Sequence, residues 1–186
     1  MVPLTHLWVP ILLSAVIVFL ASSAIHMVLK WHHGDYLALP EEEAVRAAFL
    51  KAAVAPGQYV IPHCADMQAR ATPEMQRKYA DGPVGLVYVS RNGMPAMGPA
   101  LGGWFLLNLV IAVFVGYLAG HTLPTGVHYL QVFRVAGTAA FMAYAFGAIP
   151  PSIWMGKPWA ITAKEMLDGL IYALLMAGTF GWLWPR

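Results

Sequence analysis

The residues of this chain that could do chemistry are a few polar side chains inside long apolar segments. Arg134 and Asp168 lie within two such segments, and Glu165 precedes Asp168 by three residues. A charge at the membrane centre costs about 2.5 to 3.5 kcal/mol on insertion scales, so each is expected to find a partner. The sequence predicts an Arg134–Asp168 ion pair, which either locks two helices together or forms part of a ligand or ion path. Glu165 would join that path from the same helix face.

Histidines gather where the first apolar segment ends. His26 lies near that end, and His32, His33 and Asp35 follow within nine residues. Imidazole and carboxylate groups bind zinc and other transition metals. The spacing matches no established zinc motif, and the sequence requires no cofactor. A transition-metal site at these four residues is therefore one hypothesis, and hydrogen bonding at the lipid head groups is the other.

Motifs that identify a reaction are missing from the sequence. It contains no Gly-x-Ser-x-Gly, His-Glu-x-x-His, phosphate-binding glycine loop or dinucleotide-binding fingerprint. The single cysteine, Cys64, excludes an internal disulfide and a dithiol relay. No basic stripe suggests binding to nucleic acid. These observations favour a non-catalytic role over an enzymatic one.

The elements that would position these residues are transmembrane helices. Of the 186 residues, 59% are hydrophobic and 11% are charged, whereas soluble domains carry about 25% charged residues. A helix of about 20 residues crosses the hydrocarbon core. Four segments meet that requirement, at about residues 7–29, 99–120, 127–149 and 159–182. The sequence predicts a single all-α integral membrane domain built as a four-transmembrane-helix bundle.

The distribution of lysine and arginine predicts the orientation of the bundle. The connection between the first two helices, at about residues 30–98, holds seven of these residues, and the N-terminal tail and second connection hold none. Positive residues favour the cytoplasmic side. We therefore expect a multi-pass protein of a cell membrane, the inner membrane in a bacterium, with both termini outward and the 30–98 loop cytoplasmic.

The 30–98 loop has the pattern of a small α+β insertion. Glu41 to Glu43 after Pro40 predict a helix start, and Thr72-Pro73-Glu74 predicts a second. The stretches 58–61 and 85–90 are apolar and β-branched, which predicts two strands that pair. The insertion is therefore expected to be a folded cap.

Small residues recur at every fourth position of the last three predicted membrane helices. They are Ala112, Gly116 and Gly120, then Ala139, Ala143 and Gly147, and then Gly169, Ala173, Ala177 and Gly181. Close backbone approach through such residues drives helix association in lipid. The pattern predicts either a tight bundle or contacts with other membrane subunits or a second copy of the chain.

Three functions remain after these considerations. The first is a non-catalytic membrane subunit or scaffold that packs against partner membrane proteins and binds a lipid or small ligand. The second is an oligomeric transporter of small solutes or ions that uses Arg134 and Asp168. The third is a metal-dependent membrane enzyme with its site at His26, His32, His33 and Asp35.

Overall fold

The computed structural model describes all 186 residues and separates into two compact units. The first comprises Met1–Tyr36 and Ala96–Arg186, and the second comprises Leu37–Pro95. The chain is mostly helical. In sequence order the elements are α1 (Trp8–Ser23), α2 (Glu42–Lys51), β1 (Gly57–Ile61), α3 (Met67–Arg70), α4 (Pro73–Asp81), β2 (Gly85–Val89), α5 (Met97–Thr122), α6 (Tyr129–Ala145), α7 (Ile149–Trp154) and α8 (Trp159–Trp182).

Three helical segments are long and apolar enough to cross a membrane. They are Trp8–Val28, Met97–Thr122 and Tyr129–Trp154, and they correspond to the first three predicted spans. This supports a multi-pass membrane protein. The fourth predicted span coincides with α8, which is 24 residues long. Its first half carries Lys164, Glu165 and Asp168, which lower its hydropathy, so its crossing of the membrane stays a prediction.

Small residues bring the helices of the first unit close together. A Cβ added at Gly169 of α8 would lie 3.0 Å from the Cβ of Ala145 on α6. Ala177 of α8 faces Gly137 of α6 in the same way. Small residues thus allow α6 and α8 to pack closely, which is one of the two outcomes that their pattern predicts.

Helix α1 packs against both α5 and α8 and completes the first unit. The backbone N–H of Val2 donates to the carbonyl oxygen of Gly120 at 2.7 Å, which fastens the N-terminus to the end of α5. The core between the four long helices contains large apolar side chains that are almost fully buried, among them Leu7, Val18, Val115, Val132, Met176 and Phe180. This core fixes the relative positions of the helix ends that carry the polar residues.

The second unit contains the predicted strand pair. β1 and β2 are antiparallel, with Gly57 opposite Val89 and Ile61 opposite Gly85. The hydroxyl of Thr72 caps α4 by accepting from the backbone N–H of Met75 at 3.3 Å. The α+β character predicted for this insertion is confirmed, because turn and capping residues specify it locally.

Candidate metal centre

His26 is positioned by an irregular end of α1. After Ser23 the helix widens into a π-helical turn at Ala24–Val28, and His26 lies in that turn. Single π turns inside helices occur often at functional sites because the extra residue redirects a side chain. The imidazole of His26 lies edge-on to that of His32, with ring centroids 4.6 Å apart.

His32 lies between two carboxylates. Its Nδ1 is 2.6 Å from Oδ2 of Asp35, and its Nε2 is 2.7 Å from Oδ2 of Asp168. His32 and Asp35 lie just after α1, whereas Asp168 is in the first half of α8. The hydrogen bond to Asp168 therefore joins the two sequence segments that make up the first unit. Both carboxylates are almost fully buried, with side-chain exposures of 5% for Asp35 and 6% for Asp168.

One ligand atom from each of His26, His32 and Asp168 falls within 4.8 Å of the other two. Two imidazoles and one carboxylate form a donor set that suits zinc and non-haem iron. Asp35 binds the other ring nitrogen of His32, as the outer carboxylate does in carboxylate–histidine–metal sites. These three residues could therefore hold a transition metal, with Asp35 supporting one of the ligands.

Lys164 holds Asp35 in the ionised form. Its Nζ lies 2.5 Å from Oδ1 of Asp35 and donates a further hydrogen bond to the carbonyl oxygen of Trp31 at 3.1 Å. The hydrogen bond from Lys164, followed by that from His32, lowers the pKa of Asp35 below its ordinary value. Asp35 is therefore a carboxylate at neutral pH and accepts the Nδ1–H of His32.

The pKa of His32 responds to both of its partners. Burial by itself lowers this pKa, but the hydrogen bonds and charges of Asp35 and Asp168 outweigh it. The net result is a raised pKa, which favours a proton on Nε2 facing Asp168. A divalent cation would take the place of that proton, since metal-bound imidazole must be deprotonated at the coordinating nitrogen.

A cavity of about 540 Å³ opens beside this cluster. The cluster residues His26, His32, Asp35 and Asp168 form part of its wall, and Glu165 lies on the same side of α8 as Asp168. Glu165 forms an ion pair with Lys157 from the segment between α7 and α8. The wall of the cavity therefore carries Glu165 as a further carboxylate outside the ligand set.

Three aromatic rings, those of Trp104, Tyr144 and Tyr172, also line the cavity. Tyr172 lies 6.1 Å from Trp104 and 5.5 Å from Tyr144 between ring centroids. The Tyr144 hydroxyl donates to Oδ1 of the fully buried Asn108 at 2.8 Å. The Tyr172 hydroxyl is buried and has no protein partner. A buried hydroxyl that the protein itself does not use thus belongs to a residue of the cavity wall.

The structure brings together most, but not all, of the residues singled out from sequence. Asp168 pairs with His32, and the exposed Arg134 forms no ion pair, so the expected Arg134–Asp168 contact is not present. Arg134 instead lines a shallow surface pocket with Phe133 on α6. His33 is exposed and lies outside the ligand cluster.

Sequence reasoning missed the connection between the two groups of polar residues. The sequence predicts an ion path at Asp168 and a separate metal site at His32. In the structure the two residues, 136 positions apart in sequence, are hydrogen-bonded to each other. The spacing of Glu165, Asp168 and Tyr172 places them on one face of α8, and this shared face is the feature of the sequence that indicates a common site. Lys164 is the other residue that was missed, because a lysine near a helix end is ordinarily expected to reach toward the head groups.

Comparison with protein-family models, with curated proteins and with solved structures found no match to this chain.

Proposed function

We propose that this chain is a membrane-embedded metalloenzyme that binds one divalent transition metal at His26, His32 and Asp168. The observation that carries the proposal is the Asp35–His32–Asp168 chain of hydrogen bonds, with His26 beside it. If His32 only linked two helices, a hydrogen bond to one carboxylate would be enough. A second buried carboxylate on the opposite ring nitrogen, with a further imidazole within reach, favours a ligand set.

Hydrolysis is the reaction class that the surroundings of this site support best. Three protein ligands leave a coordination position open for water, as in catalytic zinc sites. A metal there would lower the pKa of the bound water to near neutrality. Glu165, which lines the same cavity and pairs with Lys157, is the group that would accept the water proton in this proposal. The water oxygen would form a bond to a carbonyl carbon or a phosphorus atom, and the bond from that atom to the leaving group would break. Glu165 would then pass the water proton to the leaving group.

The membrane setting of the proposed enzyme follows from the sequence expectations. We propose that α8 is the fourth span, that both termini face outward and that the Leu37–Pro95 unit is cytoplasmic. The histidine and carboxylate residues would then lie at the cytoplasmic end of the bundle, since Lys157 and Lys164 belong to that end of α8. A substrate would reach the metal from the cytoplasm or from the inner leaflet.

Docking to partner membrane subunits is a second candidate function, and one observation favours it. The small residues Ala143 and Gly147 near the end of α6 remain exposed. The corresponding residues of α5 and most of those of α8 are buried within the chain's own bundle. Less surface is thus available for partners than the sequence pattern predicts, and we place this function second to catalysis.

Metal analysis of the purified protein tests the proposed function. Wild-type protein and the His26→Ala, His32→Ala, Asp168→Asn and His33→Ala variants would be stripped with a chelator, loaded with zinc and passed over a desalting column. We expect about one zinc per chain in the wild type and in His33→Ala, and little in the other three. His33 is the matched control, because it adjoins His32 and lies outside the cluster.

Two results would contradict this proposal. One is a wild-type protein that retains no stoichiometric metal after loading with zinc, iron, manganese or cobalt. The other is equal metal content in all five proteins. Thermal unfolding in detergent would show whether each variant is folded before its metal content is compared.

A further inference from the structure

We infer that the substrate of this site is a lipid with an anionic head, and that its acyl chain lies in an apolar groove between α1 and α5. This inference rests on the proposed metal centre and names its substrate class. It depends on the lining of the groove, on its continuity with the cavity and on the charge of the cluster.

The groove runs between the end of α1 and the beginning of α5 and has a volume of about 280 Å³. We call it the tail groove. It is lined by Ser22, Ser23, His26, Met27, Met97, Ala100, Leu101 and Trp104. Met27 and Met97 are strongly exposed on two segments that are apolar enough to cross a membrane. The groove therefore opens toward the side of the bundle that lipid would contact.

Two residues line both the tail groove and the cavity. His26 contributes to each, and so does Trp104. The indole Nε1–H of Trp104 donates to Oγ of Ser22 at 2.7 Å, which fixes the ring between the two spaces. The two spaces thus adjoin at these residues, and the inferred lipid would extend from the cavity past His26 into the groove.

The tail groove offers almost no hydrogen bonding to an occupant. The hydroxyls of Ser22 and Ser23 both donate to the carbonyl oxygen of Phe19, at 2.9 Å and 2.8 Å. The Trp104 Nε1–H is taken by Ser22. Apart from His26, the remaining lining side chains are apolar. A hydrocarbon chain fits this surface, whereas a sugar or peptide would lose hydrogen bonds to water.

The charge of the cluster favours an anionic head. Lys164 pairs with Asp35, and Lys157 pairs with Glu165, so these four charges cancel. Asp168 alone would then neutralise part of the charge of a divalent cation, and a net charge of one positive unit would remain at the metal centre. A phosphate or carboxylate oxygen beside the bound water, at a fifth coordination position, would neutralise this charge.

Photo-crosslinking in phosphatidylcholine nanodiscs tests this inference. The probe is decylphosphonate with a diazirine in its chain, since a phosphonate resists hydrolysis. Labelled peptides are mapped with and without excess decylphosphonate, and separately with excess decanol, which lacks the anion. We expect label on the peptides containing Met27 and Ala100, reduced at least tenfold by decylphosphonate and unchanged by decanol.

Substitutions on α5 supply the matched comparison. Ala100→Trp fills the tail groove, whereas Leu107→Trp places the same ring on an exposed position outside it. We expect the competed label to fall at least tenfold in Ala100→Trp and to stay at the wild-type level in Leu107→Trp. Both proteins should retain about one zinc per chain.

The outcomes separate this inference from the function on which it rests. One result would overturn the inference but not the proposed function. In that result the wild-type protein binds zinc, but its label is spread over the lipid-facing helices and is not reduced by decylphosphonate. Zinc-bound Ala100→Trp that keeps the full competed label would also overturn the inference alone. A wild-type protein that binds no metal would overturn the proposed function, and the inference with it.

Discussion

Asp35 is expected to orient His32 rather than to bind the metal. It accepts from Nδ1 of His32 and is held by Lys164, so its removal would leave all three ligands in place. Substitution of such outer carboxylates lowers metal affinity by about 10- to 100-fold. We predict that Asp35→Asn binds zinc with full stoichiometry and with affinity reduced to that extent, as measured by competition with a chromophoric chelator.

The control for this prediction is Asp81→Asn, which removes an exposed carboxylate of the second unit that pairs with Arg77. It should leave zinc affinity unchanged. If Asp35→Asn abolished binding as completely as Asp168→Asn, Asp35 would be a ligand itself and its assigned positioning role would be wrong.

Tyr144 and Tyr172 differ in a way that stability measurements can detect. The Tyr144 hydroxyl supplies the hydrogen bond to Asn108, whereas the Tyr172 hydroxyl has no protein partner. A hydrogen bond between membrane helices contributes about 1 kcal/mol. We predict that Tyr144→Phe lowers the free energy of unfolding by about that amount and that Tyr172→Phe leaves it unchanged or raises it, as measured by SDS titration in mixed micelles. Equal losses in the two variants would contradict this.

At the residue scale, five of the side chains chosen from the sequence line one cavity of the structure, whereas their contacts with one another were not predicted. His26, His32, Asp35, Glu165 and Asp168 all stand out, because polar groups are rare in apolar segments. Their partners did not follow, because the contact between His32 and Asp168 depends on how α1 packs against α8. The expected partner Arg134 lies on the exposed side of α6. The spacing of small residues does not determine how α6 is rotated about its axis, so this position could not be predicted.

The α6–α8 interface sets the position of Asp168 at the scale of the elements. Gly169 adjoins Asp168, and a Cβ there would lie 3.0 to 3.1 Å from three atoms of Ala145, two of them backbone atoms. Backbone cannot move aside as a flexible side chain does, and forced overpacking costs about 1 to 3 kcal/mol. We predict that Gly169→Ala lowers the free energy of unfolding by that amount in the same SDS titration.

Gly102 on α5 is the matched control, because a Cβ added there meets nothing within 4 Å. Gly102→Ala should leave stability unchanged or raise it by up to about 1 kcal/mol through helix propensity. Loss of stability in Gly102→Ala comparable to that in Gly169→Ala would show that close packing is not the cause.

Element-level prediction was better where the signal is local. Capping at Thr72 and the apolar, β-branched residues of the two strands specify α4 and the β1–β2 pair from short stretches of sequence. The π-helical turn at Ala24–Val28 was not predicted, since no proline or glycine marks it. It arises where Ser22 and Ser23 bond back to the carbonyl of Phe19, and hydroxyls of this kind also occur in regular membrane helices.

At the scale of the whole molecule, the single cysteine reports the proposed orientation. Cys64 lies in the Leu37–Pro95 unit and is partly exposed. We predict that a membrane-impermeant maleimide labels it in inside-out vesicles and not in intact cells. Arg186→Cys in a Cys64→Ser background should give the opposite pattern. Labelling of both cysteines from the same side would contradict the three membrane crossings that we propose between them.

X-ray absorption spectroscopy at the zinc edge tests the central claim most directly, because it reports which atoms surround the metal in the loaded protein. Two imidazoles and a carboxylate predict nitrogen and oxygen neighbours at about 2.0 to 2.2 Å, with the outer-atom scattering of two imidazole rings. The His33→Ala protein should give the same spectrum. Two results would contradict the assignment of the metal to His26, His32 and Asp168. One is a sulfur neighbour at about 2.3 Å, the distance expected for the thiolate of Cys64, the single cysteine. The other is a spectrum without imidazole scattering.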